Sequence, residues 1–259
     1  MYNFFVTFMW RICICLTAVL ALGIGCAPKA KQVVTNPFEA YVKVFGSCVV
    51  GPVPEGEDCS EFDSDDGPLT VALIKAVKEI PAERQKLIGI AESDMNSLQQ
   101  EAAFSILRRA LTRDEMRPIC KNIGENPDSE RIVTVLVYLK EDESNGANNQ
   151  LVWEIVRNTI LKTSRSQNIT VVANTIHSLG RDHREQGANT FMLSLKARLG
   201  RRTDSAKLIK NMILQSYNYG FFPEKDILAM RTDVERVYGK EIGADMFAFT
   251  TDYANLKRD

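Results

Sequence analysis

The feature that most limits this chain is a succession of apolar stripes at helical spacing, running from Pro68 to near the C-terminus. Apolar residues that recur every three or four positions lie on one face of a helix, whereas a half-buried strand alternates at every second position. Leu98, Ala102, Ala103, Ile106, Leu107 and Ala110 form one stripe. Leu151, Val152, Ile155, Val156, Thr159 and Ile160 form another. Val171, Val172, Ile176 and Leu179 form a third that ends at Gly180, and Phe191, Met192, Leu195 and Leu199 a fourth that ends at Gly200. Leu208, Ile209, Met212, Ile213 and Leu214 follow, with Thr203 or Asp204 as the starting cap. Each stripe must be buried against another element, so the pattern predicts an all-α domain.

Boundary residues fill in the rest. Asn36 and Pro37 suit the cap and first position of a helix that carries Phe38, Tyr41, Val42 and Phe45 on one face and stops at Gly46. Residues 47–67 read as loop because of Gly51, Pro52, Pro54, Gly56 and Gly67. A helix from Pro68 puts Val71, Ile74, Lys75 and Lys78 at helical spacings, and Pro81 opens the next. Ser93 or Asp94 caps the Leu98 stripe, and Pro118 shortens or kinks the segment after it. Ile132–Leu139 is apolar on every side, which fits a buried strand or a central helix; its helical neighbours favour helix. Residues 141–149 are a polar turn, Pro223 opens a helix to Tyr238, and a last run spans Ile242 to Leu256.

These make about ten helices of ordinary length joined by short connections. Short connections favour antiparallel neighbours, so the expected architecture is stacked antiparallel helical hairpins, solenoid-like, or an irregular multi-helix bundle, over residues 68–259. No repeat signature can be written at a fixed period. The rhythm of helices from about 94 to 217 resembles HEAT hairpins, with no motif residues behind it.

The N-terminus speaks of export. Ile12–Gly25 is an uncharged run of 14 residues behind Arg11, and spanning a bilayer takes about 20 apolar residues. It closes on Leu22-Gly23-Ile24-Gly25-Cys26, which resembles the lipobox of bacterial lipoproteins; small Gly25 fits the position before the cut, and Leu22 stands one place early. The resemblance implies that residues 1–25 are a signal peptide, that Cys26 is lipidated, and that 26–35 are a tether. It also implies a cell-envelope location, on the periplasmic or outer surface side, with the membrane reached through Cys26. An uncleaved anchor and simple secretion are the alternatives. Translation from Met9 rather than Met1 would make a tidier signal.

Export sets the cysteine reading. Cys13 and Cys15 leave with the leader, and Cys48, Cys59 and Cys120 remain. An oxidising compartment favours a bridge, and Cys48–Cys59 is the pairing with the nearest partner, inside an N-terminal unit of residues 36–67. Cys120 is then a buried thiol.

Chemistry is sparse. His177 and His183 flank Gly180 and do not share a helix face at i, i+4, so they read as ordinary helix-end residues. The loop with Glu55, Glu57, Asp58, Glu61, Asp63, Asp65 and Asp66 fails the EF-hand spacing and reads as a solvated acidic segment. Between residues 181 and 210 stand eight Lys or Arg and three acids. Lys196, Arg198, Arg201 and Arg202 are the candidates there for an anion or partner contact, beside the plainer reading of a solvated face. Tyr217, Tyr219, Phe221 and Phe222 crowd one turn and suit either core packing or an aromatic contact.

No catalytic, metal or cofactor motif occurs, and no cofactor is expected. A net charge of −1 gives no attraction to nucleic acid, which is not an expected partner. The expected function is a lipid-anchored envelope scaffold that meets another envelope protein, in a secretion or surface-assembly setting. A periplasmic enzyme or ligand binder with a motif-free pocket, and a cell-wall or anionic-lipid binding module, are the alternatives.

Overall fold

A computed structural model describes residues 36–50, 59, 67–93, 97–140, 147–201 and 204–249. Among them there are helices and no strand. The helices are α1 (Pro37–Phe45), α2 (Pro68–Glu79), α3 (Pro81–Glu92), α4 (Ser97–Ala110), α5 (Arg113–Glu125), α6 (Ile132–Lys140) and α7 (Ala147–Lys162). They continue as α8 (Ser166–Ser178), α9 (Arg181–Arg201), α10 (Ala206–Asn218), α11 (Glu224–Ala229), α12 (Arg231–Tyr238) and α13 (Lys240–Met246). None is long and apolar enough to cross a membrane.

Helices pack in two rows. In one, α3 touches α5, α5 touches α7, α7 touches α9, and α9 touches α12. In the other, α2 touches α4, α6 touches α8, α8 touches α10, and α10 touches α13. Side chains join α4 to α6: Thr134 donates to Glu101 at 3.0 Å, and Arg131, buried just before α6, donates to Gln100 at 2.6 Å. The core lies between the rows and includes Phe104, Leu136, Ile160, Ile176, Phe191 and Ile213. This is the expected all-α architecture with solenoid-like stacking.

The stack has a period the residue pattern hides. Helices α5, α7 and α9 begin at residues 113, 147 and 181, spaced by 34. That is the length of a tetratricopeptide hairpin rather than a HEAT one, without the signature residues of either. Polar groups fasten each hairpin to the next. Asn158 on α7 donates to the Gly124 and Glu125 carbonyls at 3.1 and 3.2 Å, satisfying the open end of α5. Asp128, in the α5–α6 turn, accepts from the Thr163 hydroxyl at 2.8 Å and the Ser164 N–H at 2.6 Å, before α8. Asn168 on α8 donates to the Pro127 and Ser129 carbonyls at 2.8 and 3.0 Å.

Local chemistry explains the ends. Asn36 caps α1 through bonds from the Phe38 and Glu39 N–H groups, and Phe38, Tyr41 and Phe45 are buried as expected. The chain does not become loop at Gly46, however. It continues through one π-helical turn, Gly46–Val50, which carries Cys48 into a disulfide with Cys59, Cα atoms 5.7 Å apart. α1 rests on α2 and α4, so it belongs to the stack.

Several expectations are corrected. Pro118 does not shorten its helix: α5 has 13 residues, held by the Thr112–Glu115 capping box and a buried face of Met116, Ile119, Cys120 and Ile123. Ser93 ends α3 rather than starting α4, and Asp94 lies outside the described residues. The buried face of α2 is Thr70, Leu73 and Val77, and Val71 faces out. Ile132–Leu139 is a helix buried on one side only, with Val133 and Val137 exposed. Ser205, not Thr203 or Asp204, caps α10 by accepting from the Leu208 N–H. The helix from Pro223 tightens at Met230 into α11 and α12, where the Met230 N–H reaches back only three residues to Ile227. The last run ends as α13, and its part from 250 onward lies outside the described residues.

Candidate functional site

The C-terminal half of α9 has a cleft on each side. The larger, about 470 Å³, lies between α9 and α11–α12. Met192, Lys196 and Gly200 form its α9 wall, and Asp226, Met230 and Arg236 face them. The other, about 410 Å³, lies between α9 and the end of α7. Leu161 and Lys162 line it from α7, Leu193 and Ala197 from α9, and Asp204 from the turn that follows. Leu193 is 69% exposed and Leu161 45%, so two leucines stand in water at one cleft.

The floor of the α7–α9 cleft is a buried polar clamp. The Ser194 hydroxyl and an Arg198 Nη2 both donate to the Ile160 carbonyl, at 2.8 and 3.2 Å. Arg198 Nε donates to Ser194 at 3.2 Å, and Nη1 meets Asp204 at 2.5 Å. An isolated charge at this depth would be costly; the carboxylate and the helix-end carbonyl together compensate it.

The basic turn is thereby divided. Lys196 is exposed, as a contact residue needs to be. Arg198 is buried and fully engaged, so it builds the site rather than displaying charge. Arg201 ends α9, and Arg202 lies outside the described residues.

The aromatic turn packs inward. Gly220 takes a left-handed φ of 59°, and the Phe221 N–H reaches back to the Ser216 carbonyl at 3.0 Å, a Schellman ending for α10. That closure sets Phe221 against Phe191 with ring centres 5.5 Å apart. Tyr219 stacks 5.1 Å from His177, and Tyr217 lies 5.0 Å from Phe249. Tyr217, Tyr219, Phe221 and Phe222 are all half-buried against the core.

The histidines are kept separate by different aromatic neighbours: His177 has Tyr219, and His183 has Trp153 at 6.2 Å. Among the described residues no group of His, Cys, Asp and Glu is placed to hold a metal ion. The acidic residues of 55–66 and Cys26, the expected lipidation site, lie outside the described residues. Cys120 is a buried free thiol, and burial pushes its pKa up to about 12.

The chain matches no family model, no curated protein and no solved structure. The reading of the surface therefore rests on its own geometry. A further cleft of about 280 Å³ sits beside the disulfide turn, with Phe45 and Val49 on one side and Glu101, Arg108 and Thr134 on the other. It is smaller than either cleft along α9, and its exposed apolar residue is Val49. Sequence reasoning picked out Lys196 but missed Leu161 and Leu193, because each stands beside a core stripe and belongs to no local pattern of its own.

Proposed function

We propose that this protein is a lipid-anchored scaffold of the cell envelope that binds another envelope protein through the surface around α9. The observation that carries this reading is the open C-terminal half of α9, where two clefts and the exposed Leu193 adjoin on a stack of hairpins fastened by buried polar contacts. Stacked hairpins present long surfaces whose side chains do not serve the core, and proteins built this way use such surfaces for recognition. The anchor is supported by the lipobox-like run ending at Cys26. Multiple acyl chains hold firmly because each buried methylene contributes about 0.8 kcal/mol.

Two measurements test this. Mass spectrometry of the mature N-terminus is expected to find an acylated Cys26; an unmodified Cys26 overturns the anchor. A photo-crosslinking residue is placed in the native cell at position 193 on α9, and separately at 137 on α6. A discrete adduct from position 193 supports the scaffold, and no discrete adduct from either position removes it.

A further inference from the structure

The cleft between α7 and α9 has a sign as well as a shape. Its exposed leucines, Leu161 and Leu193, are accompanied by Lys162 in its lining and by the exposed Arg157, one turn before Leu161 on the same face of α7. Neither of these cations has an ion-pair partner among the described residues. The one carboxylate lining the cleft, Asp204, is held by Arg198 in its floor. The surface is thus apolar at its centre and positive at its rim.

We propose that this cleft receives one amphipathic helix of a partner protein, its apolar ridge against Leu161 and Leu193 and its carboxylates toward Arg157 and Lys162. The proposal rests on the scaffold reading and names the chemistry of the partner. Two neighbouring helices leave a groove that accepts the side-chain ridge of a third, with anchors at i, i+3 or i+4 and i+7. The described residues offer no strand edge, so an extended peptide gains no ladder of backbone bonds. A bilayer surface is flat and does not fill a concave floor built by Ser194 and the Arg198–Asp204 pair. Carboxylates on the partner would complement the unpaired cations and speed encounter.

The test uses the purified full chain and a fluorescein-labelled synthetic helix of about 18 residues, five turns long, with a leucine ridge flanked by glutamates. A second peptide carries lysines in place of the glutamates. Fluorescence anisotropy is expected to show the glutamate helix bound at least about 10-fold more tightly than the lysine helix, a preference that shrinks with added salt. Leu193→Glu is expected to weaken binding by about 10-fold or more, with Val71→Glu on distant α2 leaving it unchanged. The double variant Arg157→Glu, Lys162→Glu should reverse the preference. Circular dichroism melts of the variants are expected to match the parent, since the changed residues are exposed.

Equal affinity for both peptides, no binding of either, or binding indifferent to Leu193→Glu overturns the proposal. So does a chain that forms dimers broken by Leu193→Glu, which would make a second copy the occupant. Sedimentation with phosphatidylglycerol vesicles that depends on Leu193 would likewise replace the helix with a membrane. If the peptides fail while position 193 still gives a discrete adduct in cells, the scaffold stands and only the acidic-helix assignment falls.

Discussion

The Ser194 hydroxyl donates to the Ile160 carbonyl at 2.8 Å, 34 residues back along the chain. One hairpin earlier the Asn158 side chain donates to the Gly124 carbonyl, also 34 residues back. The same task, closing the end of the preceding helix in the row, is carried out by different residue types. The hairpins are equivalent in geometry and unlike in sequence.

Where those hairpins come nearest, a methyl group decides the sign of a substitution. A Cβ on Gly124 would lie 2.4 Å from Ile155 Cγ1, inside contact distance, whereas a Cβ on Gly89 in α3 meets nothing within 4 Å. Alanine is otherwise favoured over glycine inside a helix by about 1 kcal/mol. Gly89→Ala is therefore expected to stabilise by about 0.5–1 kcal/mol, and Gly124→Ala to destabilise by about 1–3 kcal/mol. Urea unfolding of the two variants checks the opposite signs, and Ile155→Ala should relieve part of the second effect.

The clamp under the α7–α9 cleft makes a different demand. Arg198→Ala leaves Asp204 without its main charge partner and the Ile160 carbonyl short of a donor, so a loss of about 3 kcal/mol is expected. Arg198→Lys should recover little, because an ammonium cannot serve three acceptors in one plane. Thermal unfolding of both variants provides the comparison.

Cys120 is expected to resist modification in the folded protein. Its thiol is buried and its pKa is pushed up to about 12, so almost no thiolate exists near neutral pH. Iodoacetamide should label it only as fast as the chain opens, and at a much higher rate in denaturant. Rapid labelling under native conditions would contradict the burial.

Acid should loosen the α5–α6 turn. Partial burial raises the Asp128 carboxyl, but bonds from the Ser164 N–H, the Thr163 hydroxyl and the Ser164 hydroxyl outweigh it and hold the pKa below the usual carboxylate range. The stability this brings is present above the unfolded-state pKa of about 3.9 and is lost as pH falls through the lower folded value. Asp128→Asn should be less stable than the parent at neutral pH, and the gap should narrow below about pH 4. Urea midpoints measured from pH 7 to pH 3 test this.

Legibility in the sequence followed the physics of each feature. Stripes such as Leu98 to Ala110 are periodic and local, and the helices they imply are present. Asn36 before Pro37 is a local cap, and the Cys48–Cys59 bridge joins near neighbours. The 34-residue period was hidden because it lives in helix lengths and in polar contacts made by unlike residues. Val133 and Val137 misled because an apolar residue is not obliged to be inside. Arg198 read as surface charge because its partners, Asp204 and the Ile160 carbonyl, come from a following turn and a preceding hairpin. The clefts beside α9 are assembled from different helices, beyond any local pattern.

The two-row packing has a consequence for how the protein comes apart. Each helix leans chiefly on near neighbours in the chain, and α7, midway along it, touches α5, α6, α8 and α9. Damage near either terminus should melt that end and spare the rest, whereas damage in α7 should cut communication between the halves and turn one cooperative transition into two.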